Sequence, residues 1–216
     1  MTRPKQRARS PLDKELRRTA LLEAAQDLAI ERGAREVTLA EVTSRVGLHA
    51  SAVRRYFESR EELLLELAER GWSDWRAQLV SRLDGTLSAE KLADAVAGSL
   101  EALPLFCDLL THVVLSLEGA VRLERARSYK LSATADYDAM AQALVDTGSG
   151  LDDAGAKTVL TAAMSMGAYL FQLSRPTATL RELYEQEPRW AHDALRFREQ
   201  LTGLLTAVVR GVRAGR

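Results

Sequence analysis

Residues 38–57 read TLAEVTSRVGLHASAVRRYF, and this stretch constrains the fold most because it predicts two short helices around a turn. Thr38 followed three residues later by Glu41 is the pattern of a capping box, in which both side chains bind free amides at a helix start. Gly47 can adopt the left-handed conformation that ends a helix, which residues with a Cβ atom adopt reluctantly. The apolar residues with helical spacing are Leu39, Val42 and Val46. The stretch therefore predicts a helix that begins after Thr38 and stops at Gly47.

The second predicted helix has one apolar and one polar face. Val53 and Phe57 lie four residues apart and therefore point to the same side. The opposite face carries Ser51, Arg54, Arg55 and Tyr56. This arrangement predicts a helix-turn-helix whose second helix enters a DNA major groove. Taken alone, the pattern also fits a helical hairpin in an all-α core with a solvated charged face.

The flanking sequence predicts the rest of a small helical domain over residues 1–60. Residues 10–13, SPLD, have the pattern of a helix start, and this helix is predicted to run to Gly33. Its buried face is predicted to hold Leu21, Ala24, Ala25 and Leu28. Ser59 and Glu62 form a second capping box, which opens a long helix. Three helices and the start of a fourth match the size of a helix-turn-helix domain.

Over residues 17–66 the chain resembles the TetR family of one-component transcriptional regulators. The family pattern runs through VTLAEVTSRVGL and closes on YFESREEL, so that its spacing matches across three helices. The stretch LPLFCDLL…LSLE…YK is similar to one of the family's C-terminal domain subtypes. The chain departs from the family at Arg54, where tyrosine is usual, at Arg60, where lysine is usual, and at His49, where serine is frequent. The two changes to arginine keep or add positive charge, so they alter the reading of DNA more than its binding.

The motif and the resemblance together predict the residues that contact DNA. We expect Arg54 or Arg55 to reach guanine O6 and N7, and Tyr56 to bind a phosphate. Residues at the neighbouring helix ends are expected to hold the phosphate backbone, helped by free amides near Thr38. The predicted DNA-binding residues are Thr38, Ser44, Arg45, His49, Ala50, Ser51, Arg54, Arg55, Tyr56 and Arg60. A disordered arm that reaches a minor groove is predicted to hold Arg3, Lys5, Arg7 and Arg9.

Charge is distributed unevenly along the 216 residues, although the formal net charge is zero. Residues 1–60 contain 13 Lys and Arg against 8 Asp and Glu, a balance of +5. Residues 61–216 contain 17 against 22, a balance of −5. An anionic partner is therefore expected for the first part only.

Composition indicates a soluble globular protein, with 46% hydrophobic and 28% charged residues. Cys107 is the single cysteine, which excludes an internal disulfide and suits a reducing cytoplasm. No apolar run approaches the roughly 18 residues that a membrane span needs. The basic N-terminus lacks the apolar segment of a signal peptide. These observations predict a cytoplasmic location without a membrane partner.

Residues 61–216 are predicted to form a second helical domain, so that the fold class is all-α. The predicted helices cover 61–83, 88–103, 104–119, 122–147, 152–174, 179–186 and 188–213. Two of them carry small or apolar residues on a broad face. TetR relatives dimerise by packing such a helix pair into a four-helix bundle, so the resemblance implies a homodimer. The predicted interface residues are Ala163, Gly167, Leu201, Leu205 and Val209, and packing within one subunit is the alternative.

The resemblance also implies a cavity for a small-molecule effector among the helices of the second domain. Aromatic side chains between helices are usual in pockets for small apolar ligands. The predicted lining residues are Trp72, Trp75, Phe106, His112, Tyr129, Tyr137, Tyr169 and Gln172. His112 and Gln172 are the expected polar contacts, because each lies among apolar neighbours where an unpaired polar group is costly. The alternative is that most of the aromatic residues form the core.

The sequence offers little for catalysis or for a resident cofactor. His49, His112 and His192 lie far apart, and Cys107 with His112 supplies too few ligands for a metal site. The chain lacks a glycine-rich phosphate loop, a GxSxG turn and an HExxH motif. We therefore predict a sequence-specific DNA-binding regulator, most simply a repressor that a small molecule releases from its operator. The alternatives are an activator or effector-independent regulator, a helical protein-interaction module, and an enzyme with an apolar pocket.

Overall fold

The computed structural model describes residues 11–191 and 196–215, which fold into helices joined by short connections. The prediction of an all-α fold is confirmed. The α-helices are α1 (Pro11–Arg32), α2 (Leu39–Arg45), α3 (Arg60–Val80), α4 (Ala89–Glu101), α5 (Pro104–His112), α6 (Leu123–Asp146), α7 (Asp153–Ser174), α8 (Ala178–Gln186) and α9 (Phe197–Ala214). Short 3₁₀ helices cover Ala34–Glu36, Ala50–Arg55, Glu118–Ala120 and Pro188–Trp190, and a π-helical turn covers Val113–Leu117. The predicted N-terminal arm lies outside the described residues.

The N-terminal helices pack on the start of α3 around a small apolar core. Val53 and Phe57 are 2% and 1% exposed, as their four-residue spacing predicts. The Arg18 guanidinium of α1 lies 5.0 Å from the centre of the Phe57 ring and also pairs with Glu66 of α3. These contacts fix the helix-turn-helix on the long helix that leads into the rest of the molecule.

α3 runs from the helix-turn-helix into the C-terminal part, where it packs against α5 and α6. The close approach of α5 depends on Gly71, because a Cβ atom there would lie 2.3 Å from the Phe106 ring. Arg125 of α6 pairs with Glu69 of α3 at 2.7 Å. α3 therefore packs both with the helix-turn-helix and with the helices of the C-terminal part.

α9 packs against α4 and α7, and this packing corrects the predicted interface. All five predicted interface residues are buried within the single subunit. Leu201, Leu205 and Val209 are each fully buried, and Gly167 leaves only 3.0 Å between its Cβ position and Leu100 of α4. Intramolecular helices cover this stripe, so these side chains form subunit core and leave no surface for a partner.

Two predicted helices end or begin elsewhere than expected. The last helix begins at Phe197, not at Pro188, because residues Pro188–Trp190 form a 3₁₀ turn that ends at Ala191 in extended conformation. The helix that begins at Pro104 keeps α-helical bonding only to His112 and then widens into the π-helical turn. Within the described residues, no single helix has both the length and the apolar composition to cross a membrane. α4 and residues 104–120 together have that length and composition, but the chain bends by 83° between them.

Candidate nucleic-acid interface and ligand cavity

The second helix of the helix-turn-helix, Ala50–Arg55, is a 3₁₀ helix that we call the reader helix. His49 begins it, because its Nδ1 accepts a hydrogen bond from the Ser51 amide at 3.3 Å. Val53 anchors the helix in the core, and this leaves Ser51, Arg54 and Arg55 exposed on the opposite side. The backbone geometry differs from the α-helix that the spacing predicted, but the division into a buried and a cationic face is the same.

Arg54 and Arg55 carry the positive charge of this surface. Neither guanidinium has a carboxylate within ion-pair distance among residues 11–191 and 196–215. Arg45 at the end of α2 differs, since it is paired with Glu31 at 2.8 Å. Two unpaired guanidinium groups on an exposed, anchored helix favour an anionic partner with acceptors in its groove.

Among the residues that flank the reader helix, some are exposed and free to contact DNA, and others already make hydrogen bonds or pack within the protein. Thr38 caps α2 by accepting a hydrogen bond from the Glu41 amide at 3.3 Å, so its hydroxyl is already used. Ser44 is exposed beside it, and Tyr56 is half-buried against the core. Ser44 and the amides at the start of α2 therefore remain the simplest candidates for phosphate contacts.

Arg60 has a structural role that the sequence did not reveal. Its Nε donates to the Val37 carbonyl at 2.5 Å, and Nη2 donates to the carbonyls of Ala34 and Arg35 at 2.7 and 2.8 Å. The guanidinium therefore ties the start of α3 to the chain just before α2. Because these carbonyls occupy its donors, Arg60 is poorly placed to hold a phosphate.

A cavity of about 320 Å³ lies between α3, α5, α6 and α7, and we call it the aromatic cavity. Three of the predicted residues, Trp72, Tyr129 and Tyr137, line it. The lining is completed by Leu110, Val113, Val114, Glu118, Lys130, Ala133, Thr134, Met164, Ser165 and Ala168. The lining is mainly apolar, which suits a small apolar or aromatic molecule.

Hydrogen bonds hold the aromatic side chains of this cavity in place. Trp72 Nε1 donates to the Tyr129 hydroxyl at 2.9 Å, and burial raises the pKa of Tyr129 to about 12. The Tyr137 hydroxyl donates to the Lys157 carbonyl at 2.8 Å. Polar atoms of both tyrosines are thus partnered, and a preorganised wall of this kind lowers the cost of ordering on ligand binding.

The other predicted pocket residues lie elsewhere. Trp75 is fully buried, donates to the Ser99 hydroxyl at 2.9 Å and packs with Phe106, so both are core. Tyr169 is 65% exposed on the outer side of α7. His112 and Gln172 both reach Asp108, on the side of α5 that faces the helix-turn-helix. Helical periodicity alone cannot separate these positions, because each lies on a helix that also contributes to the cavity.

Sequence reasoning missed the aliphatic part of the cavity and the role of Asp108. Val113 and Val114 reach the cavity from the π-helical turn, which no local sequence pattern predicted. Ala168 and Met164 lie one turn apart on α7, a spacing that reads equally well as core. Asp108 lies in the apolar run LPLFCDLL, where a lone carboxylate signals a buried polar contact.

Comparison with known proteins places both parts of the chain. Residues 21–67 match the family profile described as bacterial regulatory proteins, tetR family. Residues 69–216 match the profile described as tetracyclin repressor-like, C-terminal domain. The second match alone spans more than half of the chain.

One curated relative and two solved structures show the extent of the similarity. The HTH-type transcriptional repressor KstR2 of Rhodococcus jostii (strain RHA1) is 30% identical over 107 residues, which are 45% of this chain and 52% of the relative. The chain thus matches about half the length of that relative. A candidate transcriptional regulator from Rhodococcus sp. RHA1 superposes with a TM-score of 0.61 at 19% identity, covering 91% of this chain and 98% of the other. A TetR/AcrR family regulator from Thermobifida fusca YX-ER1 gives 0.55 at 20% identity, covering 88% and 96%, and likeness at these identities concerns the fold alone.

Proposed function

The chain belongs to the TetR family of transcriptional regulators, and from this premise we propose that it represses transcription by binding operator DNA in the cytoplasm. The observation that carries the proposal is the reader helix, whose buried Val53 presents the exposed Arg54 and Arg55 to solvent. A guanidinium binds guanine O6 and N7 with two parallel hydrogen bonds, so either arginine can read a base pair. We do not propose a catalytic activity.

The proposal is tested on DNA that the purified protein selects from a random-sequence pool. Arg54→Ala and Arg55→Ala are titrated against the selected site and single-base variants of it. Loss of one bidentate contact should cost about 1–3 kcal/mol and relax specificity at one position. Arg82→Ala is the matched control, because Arg82 is exposed just after the end of α3, and it is the opposite end of this helix that packs with the helix-turn-helix. If both reader variants bind every site as the parent does, this helix does not read DNA.

We propose further that a small apolar or aromatic molecule occupies the aromatic cavity and weakens operator binding. The cavity volume of about 320 Å³ lies at the lower end of ligand pockets. Thr134 and Ser165 offer hydroxyls to a polar substituent, and Lys130 pairs with Glu118 at 2.7 Å beside them. Such a ligand shifts the protein only by its difference in affinity between the DNA-binding and released states.

We propose that the protein acts as a homodimer, with an interface different from the predicted one. The sides of α7 and α9 that turn away from the core carry Tyr169, which is 65% exposed, and Leu204, which is 42% exposed. We define the outer face as Ala162, Met166, Tyr169, Leu173, Leu204, Ala207, Val208 and Gly211. Two such faces can pack about a two-fold axis, and a dimer places two reader helices on the half-sites of one operator.

A further inference from the structure

The contact between α5 and the Ala34–Glu36 turn depends on a buried carboxylate. Asp108 of α5 is only 8% exposed, and its Oδ2 accepts a hydrogen bond from the Ala34 amide at 2.7 Å. The carbonyl of Ala34 is held from the other side by Arg60 at 2.7 Å. In the turn that leads into α2, the Ala34 amide is therefore hydrogen-bonded to α5 and the Ala34 carbonyl to α3. We call this contact the junction.

The second oxygen of Asp108 connects the junction to α7. Gln172 Nε2 donates to Asp108 Oδ1 at 2.9 Å, and His112 Nε2 lies 3.6 Å from the same oxygen. Burial opposes ionisation of Asp108, but the nearby His112 imidazole and the hydrogen bonds from Ala34 and Gln172 outweigh it and lower the pKa of the carboxyl. A buried carboxylate is costly when it loses a donor, so the position of Gln172 matters to the whole junction.

The register of α5 and α7 joins the junction to the aromatic cavity. On α7, Gln172 lies one turn after Ala168, which lines the cavity. On α5, Leu110 lines the cavity and lies between Asp108 and His112 in sequence. Both helices thus form a cavity wall at one point and hold the junction within about one turn of it.

We infer that Asp108 and Gln172 are positioning residues that transmit occupancy of the aromatic cavity to the helix-turn-helix. A molecule that separates α5 from α7 stretches the bond between Gln172 and Asp108. Asp108 then holds the Ala34 amide less firmly, and the chain before α2 gains freedom. The inference rests on the proposed function, because it names the route by which that ligand changes the orientation of the reader helix.

The π-helical turn supplies the flexibility that this route needs. It begins at Val113, directly after His112, and its residues Val113 and Val114 line the cavity. Wide turns of this kind interrupt the regular hydrogen bonds of a helix and are frequent at functional sites. The end of α5 can therefore move while the start of the helix stays packed on Gly71.

The test uses amide hydrogen exchange and a side chain as the surrogate ligand. Ala168→Phe places a ring in the aromatic cavity, and exchange is measured for the peptide that contains residues 33–37. The substitution should speed exchange there about tenfold in the parent protein. In the Gln172→Leu background, exchange should already be faster, and Ala168→Phe should change it less than twofold, because the connecting bond is absent.

Controls separate transmission from general loosening of the fold. Gln142→Leu is matched to Gln172→Leu, since the exposed Gln142 amide donates to Asp146 of its own helix. It should leave the response to Ala168→Phe intact. Exchange over residues 201–212 of α9 should stay unchanged in every variant. If Ala168→Phe unfolds the chain, the smaller Ala168→Leu replaces it.

Two results would overturn the inference. The first is an equal response to Ala168→Phe with and without Gln172, and the second is no response in the parent. Binding of the selected DNA is titrated on the same preparations. A parent that binds no DNA refutes the proposed function, whereas the exchange results judge the route through Asp108 independently of DNA.

Discussion

At the scale of single residues, the chemistry of arginine explains one departure of this chain from its family. The resemblance leads us to expect a lysine at residue 60, with a phosphate as its partner. Arg60 instead bonds three backbone carbonyls around the Ala34–Glu36 turn. The planar guanidinium has five donors in a fixed fork, whereas an ammonium group on a flexible stem holds such an array poorly. The sequence shows the charge of this residue but not the direction in which it points.

We therefore expect Arg60 variants to change stability more than the electrostatics of DNA binding. Arg60→Ala should lower the free energy of unfolding by about 1–3 kcal/mol, because it leaves half-buried carbonyls without donors. Arg60→Lys should recover only part of this loss. Urea denaturation measures both variants, and the salt dependence of DNA binding should keep the parent slope. A slope lower by about one unit would instead return Arg60 to the phosphate contacts.

Asp108 predicts a pH dependence of stability. Its hydrogen bonds lower the pKa in the folded chain, so the carboxylate stabilises the fold fully above the unfolded value of about 4. This stabilisation is lost as the pH falls through the lower folded value. The difference in unfolding free energy between the parent and Asp108→Asn should therefore shrink from pH 6 to pH 3. A constant difference over that range would show that ionisation of Asp108 contributes nothing.

At the scale of helices, the sequence predicted best those boundaries that a local side chain determines. α2, α3 and α7 begin where a serine, threonine or aspartate caps the first turn, and a local side-chain bond determines each start. The start of α9 and the widening of the helix after His112 have no such local signal. Tertiary contacts determine them, and one sequence does not reveal those contacts. The domain boundary at residue 60 stays a prediction, because α3 packs with both parts.

Gly71 gives a prediction about how two helices approach. Gly→Ala inside an exposed helix usually stabilises by up to about 1 kcal/mol. Gly71→Ala should instead destabilise by about 1–3 kcal/mol, because the new Cβ would lie 2.3 Å from the Phe106 ring. Gly203→Ala in α9 is the matched control, since nothing lies within 4 Å of its Cβ position, and it should be neutral or stabilising. Denaturation of both variants decides, and a stabilised Gly71→Ala would mean that α5 lies further from α3.

At the scale of the whole molecule, the candidate sites were predicted with different success. The sequence identified the exposed face of the reader helix, because local periodicity separates Val53 from Arg54. It placed Trp72 and Tyr129 at the cavity but could not separate them from Trp75, which lies one turn away in the core. The prediction of the interface residues was wrong for a related reason. A broad apolar stripe on α9 indicates that both of its sides are covered. It does not reveal which side packs against helices of the same subunit and which side faces a partner.

The assembly is tested by placing a charge on either side of α9. Leu204→Glu changes the outer face and should give a folded monomer with much weaker operator binding, because one subunit reads only one half-site. Val209→Asp buries an unpaired charge in the core and should unfold the subunit. Sedimentation measures the assembly state of both variants. The rate at which Cys107 reacts with thiol reagents measures folding. Cys107 is fully buried, and burial raises the pKa of its thiol to about 12, so the native chain reacts slowly. A dimeric Leu204→Glu would place the interface elsewhere, and a folded, monomeric Val209→Asp with a protected thiol would restore the inner stripe as the contact between subunits.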